Sequence, residues 1–291
     1  MREFVCGGWK ISAAAECGGN LACVRWQGRD IMRGFVNAGQ WQTAPTDYGF
    51  PILFPPNRIA DGVFRFRNRE YRLPVNEIDR HNHLHGIALR EKWKFGECGA
   101  DSVNMFLEFG KNSPWYADYP CDCKLAVTYT LTERVLTQEL QIENRADTVI
   151  PCALGVHSAF AAPEKVLVHG RNGRIEILPP RYLASGREVN WLPDGFSPGK
   201  WCMPDKVYPF GHFRMDETHL AELDCGDFKL EYVTDEKFDH WMVWRPENDT
   251  SFLCIEPMNI RVGCFENTPE LLPFLEPGES RKFTSRIKII C

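Results

Sequence analysis

In the segment KLAVTYTLTE (124–133) apolar residues fall at every second position, so Leu125, Val127, Tyr129 and Leu131 share one face of an extended chain. A short turn around Glu133 and Arg134 leads into VLTQELQIEN, where Leu136, Leu140 and Ile142 alternate with polar residues. The two runs together predict a β-hairpin. Similar patterning predicts short strands at 20–27, 227–233, 239–244, 251–256 and 282–290, separated by turn-rich pieces such as 178–201. A helical period of 3.6 is best approached by DETHLAELDC (216–225), and that run is short. With no internal repeat, low-complexity tract or linker, the chain reads as all-β: one large antiparallel β-sandwich, residues 1–291 forming a single domain.

Composition narrows the function classes. The 291 residues carry a net charge of −5, which gives no electrostatic reason to expect nucleic acid or an anionic membrane as a partner. The alternation of Arg65, Arg67 and Arg69 with Phe64 and Phe66 reads as a solvated strand face. No apolar run is long enough to cross a membrane as a helix, and MREFVCGGWKISAAAECGG lacks a basic start followed by a leader-type apolar core. The expected location is cytoplasmic. The 12 cysteines are irregularly spaced with no C-x-x-C pair, so reduced, mostly buried thiols are expected.

Candidate chemistry begins at RHNHLHG (80–86). On a regular strand His81, His83 and His85 would share one face, which suits a metal site, a catalytic histidine with two bystanders, or a polar strand edge. Gly86 breaks the strand and places His85 at an edge or a mouth. Glu256 lies inside FLCIEPM, an otherwise apolar strand. Burying it unpaired would cost several kcal/mol in order-of-magnitude terms, so it requires a partner, a wet cavity or an edge position. His157, between Val156 and Ser158, suits either a functional group or a core histidine bonded to a carbonyl. Trp241 and Trp244 have opposite parity in HWMVW, so one belongs to the core and the other can serve as a stacking platform.

The segment YGFPILFPPNRIADGVFRFRNREYRLPVNE (48–77) followed by NHLHG (82–86) resembles the aldose 1-epimerase (galactose mutarotase) family. GVHSAF (155–160), CIEPMN (254–259) and LEPGES (275–280) extend the resemblance in order to the end of the chain. It implies the mutarotase supersandwich fold and a cofactor-free isomerase that interconverts the anomers of a hexose, as a monomer or homodimer with a small sugar as its partner. Residue by residue, it implies Glu256 as the base, His157 as the acid at the ring oxygen, and His85 as a group that holds and polarises the sugar. Arg58 would bind sugar hydroxyls, Asn57 and Asn82 would orient the loops carrying Arg58 and His85, and His83 would line the same cleft.

The sequence also departs from that pattern. Ile87 stands where a second glycine is usual, and Ser158 and Ala159 follow His157 in place of proline and an aromatic residue. The family's sugar-anchoring aspartate has Asp239 as its candidate. Related readings are an epimerase of a phosphorylated hexose, with Arg65, Arg67, Lys92 or Lys94 reading the phosphate, and a non-catalytic sugar-binding or regulatory protein.

Overall fold

A computed structural model describes residues 1–193, 195–207 and 211–290. The predicted hairpin forms from Cys123–Leu131 and Val135–Asn144, whose inward positions are buried in strict alternation. Its register pairs Leu131 with Leu136 and Leu125 with Ile142, so apolar residues face one another across the ladder. This hairpin sits inside an eight-stranded antiparallel sheet, with Ser102–Phe109 on one side and Ser280–Ile290 on the other. Lys229–Thr234, Leu220–Asp224 and Lys165–Val168 continue the sheet to its edge.

A smaller antiparallel sheet packs against the first. It is built on Phe252–Met258, flanked by His240–Trp244 on one side and by Gly155–Val156 and Ser158–Ala161 on the other. Tyr232 of the large sheet meets Phe160 at 5.2 Å and Trp241 at 5.6 Å between ring centroids, and its hydroxyl shares a 2.9 Å hydrogen bond with Ser158. Those three residues belong to the smaller sheet, so the core lies between the two layers as a sandwich requires. At the N-terminus Arg2–Cys6, Trp9–Ala14, Asn20–Trp26 and Arg29–Asp30 form a further four-stranded sheet.

The run at 216–225 is not helical. Leu220–Asp224 is a strand with Ala221 and Leu223 buried, held between Lys165–Val168 and Lys229–Thr234. So short a run fits either period, and pairing with distant strands decides it. The turn-rich stretch 178–201 contains the strand Leu183–Val189, which pairs back onto Arg174–Leu178. Among the described residues no helix is long and apolar enough to cross a membrane.

Candidate active site

Strand parity sets the first two groups. In the smaller sheet Ser158 and Phe160 point into the sandwich, so His157 points to the opposite face. Gly155 pairs with Met258 and Ser158 with Ile255. Continuing that register through the interruption between them sets His157 opposite Glu256, while Met242 flanks Glu256 on its other side. The result is a cross-strand ion pair, with His157 Nε2 lying 3.1 Å from Glu256 Oε1 and both side chains almost wholly buried. Glu256 therefore has the partner that its apolar strand demands. Burial opposes a charge on His157, but the Glu256 carboxylate beside it prevails, with Asp47 contributing, and holds the imidazole above its ordinary value.

His85 arrives from a different part of the chain. Arg58–Ala60 pairs with Asn82–Leu84, so Arg58 faces Leu84 and the Asn57 carbonyl accepts from the His85 backbone N–H at 3.1 Å. Asn57, His85 and Gly86 all adopt the left-handed backbone conformation, with φ of 68°, 65° and 74°. At Gly86 a Cβ would fall on the Phe54 carbonyl, so only glycine lets the chain turn there. The His85 and His157 rings meet edge to face at 5.2 Å. Burial, then the charges on His157 and Arg58, holds the His85 imidazole well below its ordinary value, so it is neutral. Donor atoms of His85, His157 and Glu256 lie within 4.8 Å of one another, a set that would also suit a divalent cation.

These groups line a cavity of about 310 Å³, at the small end of ligand sites. Trp244 forms part of its wall, 6.0 Å from the His157 ring, whereas Trp241 is in the core and donates its indole N–H to the Phe238 carbonyl. Arg58 reaches the cavity held by Glu77 in a two-pronged pair at 2.9 Å for each contact. Glu77 also accepts from Asn82 at 2.9 Å and Arg80 at 2.6 Å. Burial would raise the Glu77 carboxyl, but these donors hold it below its ordinary value.

The structure separates the three histidines of RHNHLHG. Positive φ at His81 and His85 breaks the alternation that a regular strand would impose. His81 is exposed and bonds Asp61. His83 is fully buried, donates its Nδ1–H to the Pro74 carbonyl over 2.7 Å, and is pushed down to about 4 by desolvation, so the expectation that it lines the cleft is corrected. Asn82 is buried behind the cavity, where it holds Glu77 and the Arg181 carbonyl. Asn57 does line the cavity, with its amide against the Met258 sulfur at 2.8 Å.

Asp239 is outside this cavity and is bound to Arg214 at 2.6 Å, so the expectation that it anchors the sugar is corrected as well. Its place one residue before His240 gives it the opposite parity to Met242 and Glu256. None of Arg65, Arg67, Lys92 and Lys94 lines the cavity.

Arg80, Tyr182, Pro246 and Glu247 are among the lining residues that carried no signal in the sequence. Tyr182 comes from the turn-rich stretch and lies under the Arg80 guanidinium at 4.3 Å and Arg58 at 5.6 Å. Pro246 and Glu247 are fixed by the buried Arg245, which donates to both of their carbonyls and to those of Pro204 and Asp205.

The sequence profile of a family described as aldose 1-epimerase matches residues 12–288. An uncharacterised Escherichia coli protein, YihR, is 30% identical over 164 residues, covering 52% of this chain and 50% of YihR. The chain thus spans about half the length of that curated relative. Galactose mutarotase of Sus scrofa is 31% identical over 144 residues, 46% of this chain and 38% of the pig protein. In three dimensions a galactose mutarotase-like protein from Clostridium acetobutylicum superposes with a TM-score of 0.86 at 20% identity, covering 99% of this chain and 94% of the other. A galactose 1-epimerase from Lactobacillus acidophilus superposes with a TM-score of 0.79 at 17% identity, covering 97% and 91%. At those identities the superpositions establish the fold, the galactose mutarotase-like β-sandwich.

Proposed function

The chain belongs to the aldose 1-epimerase family, and from that premise we propose that it interconverts the α and β anomers of a hexose by acid–base opening and closing of the ring. The observation that carries this reading is the 3.1 Å contact between His157 and Glu256 inside one cavity. The two oxygens that must exchange protons, the anomeric hydroxyl and the ring oxygen, share one carbon. An acid and a base that serve them must therefore be near neighbours.

A bound sugar replaces the direct His157–Glu256 contact with one contact to each oxygen. Glu256 takes the proton of the anomeric hydroxyl while His157 gives its proton to the ring oxygen, and the C1–O bond of the ring breaks. The aldehyde turns about the C1–C2 bond. In closure His157 takes the proton back from the attacking hydroxyl as Glu256 returns its own to the carbonyl oxygen. Each group ends as it began, so no net proton is gained or lost. His85, neutral and beside both, supplies a hydrogen bond that fixes the reacting end of the sugar.

Arg58, pre-set by Glu77, offers donors to sugar hydroxyls, and Trp244 offers a flat apolar wall for the ring's C–H face. Arg58→Lys, which cannot reproduce the planar fork, is expected to raise KM about tenfold or more with a smaller effect on kcat, read from initial rates at varied sugar concentration.

The function is tested by following freshly dissolved α-glucose, α-galactose and a hexose 6-phosphate to equilibrium by polarimetry or anomeric proton signals. The proposal expects acceleration over buffer for at least one sugar, and the fastest identifies the substrate class. Sugar binding with no acceleration across the panel would support a sensor on this fold instead. A pure binding protein has no use for a paired acid and base, which is why turnover is the preferred reading.

A further inference from the structure

A second and larger cavity, of about 480 Å³, opens near the other end of the His240–Trp244 strand. Its walls carry Arg171, Arg174, Arg214 and Arg261, in a chain whose overall charge is −5. The acidic side chains facing them are Asp239 and Glu188, and Asp239 is already bound to Arg214 at 2.6 Å. Two positive charges are left in surplus. Among the described residues the Arg171 and Arg174 guanidinium groups make no hydrogen bond or ion pair, and Arg261 donates only to the Gly186 carbonyl at 3.0 Å. His240 also lines the cavity and keeps a buried Nδ1 without a partner, its ring stacked on that of His212 at 5.4 Å. Phe213, Ile175 and Ile260 make the wall partly apolar.

We propose that this cavity binds a small organic phosphate, its phosphate held by Arg171, Arg174 and Arg261 and its organic body lying on Phe213 and Ile260. A tetrahedral dianion can accept from several guanidinium forks at once, whereas a single carboxylate is satisfied by one. The apolar wall asks for a body beyond the phosphate, and the volume leaves room for one. His240 supplies a neutral hydrogen-bonding group to that body. The site shares no lining residue with the His157–Glu256 cavity, so the proposal stands or falls independently of sugar turnover.

The test is titration calorimetry of the full chain with inorganic phosphate, glucose 6-phosphate and AMP at low and high salt. The expected result is saturable binding of at least one ester with Kd below ~1 mM, tighter than inorganic phosphate and weakened by salt. Whichever ester binds more tightly names the body as sugar or nucleoside. Arg171→Glu/Arg174→Glu should weaken it by at least about tenfold, while Arg58→Lys leaves it unchanged. No saturable binding, unchanged affinity in the double variant, or loss of binding in Arg58→Lys would overturn the assignment. Inorganic phosphate binding as tightly as both esters would overturn the organic-ester assignment. Arg171 is exposed and Arg174 half-buried, and an unchanged melting temperature would show that the double variant folds.

Discussion

Glu256→Gln is expected to slow anomer exchange by about 10²–10⁴-fold, the range that a positioned acid or base contributes. The substitution keeps shape and a hydrogen-bond acceptor for His157 while removing the group that takes the anomeric proton. It also removes the charge that outweighs burial at His157 and holds the imidazole above its ordinary value. The variant therefore loses the base outright and leaves less of His157 protonated to act as the acid. An NMR titration of His157 should give a value above 6.5 in the wild type and below it in Glu256→Gln, since only desolvation then remains dominant. Retention of a raised value in the variant would mean that Asp47, not Glu256, governs the imidazole.

His157→Asn is expected to cost more in stability than Glu256→Gln, about 3–5 kcal/mol, because it leaves the Glu256 carboxylate buried without its cation. Glu256→Gln strands no such charge. Thermal or urea unfolding of the two variants beside the wild type measures the difference, and equal losses would contradict an ionic pair at this position. The pair also ties wild-type stability to pH. Because the folded His157 value is raised, its contribution is complete below the ordinary value of 6.5 and fades as pH rises through the folded value. The wild-type melting temperature should fall across that alkaline interval by more than that of Glu256→Gln.

Much of the fold was readable in the sequence because period-two alternation is a local signal. The 123–144 hairpin follows directly from where Leu125, Val127, Leu140 and Ile142 stand. The demand of Glu256 for a partner was readable too, from a charge inside an apolar strand. That the partner is His157 was not, since it depends on a register between strands far apart in the chain. His81, His83 and His85 look equivalent by spacing, and only the positive φ of His81 and His85 sends them different ways. The sequence offers Asp239 as a candidate anchor, yet Arg214 holds its carboxylate outside the cavity. Tyr182 and Glu247 stand in loops, where no periodicity announces which way a side chain will point.

The central claim is that His157 and Glu256 work on one sugar ring, and exchange NMR at anomeric equilibrium tests it most directly. With wild type added, exchange cross-peaks between the α and β anomeric protons of the preferred hexose should build at a rate proportional to enzyme concentration. They should fall towards the uncatalysed level with Glu256→Gln. Undiminished exchange in that variant, or no acceleration by wild type for any hexose that binds, would contradict the account.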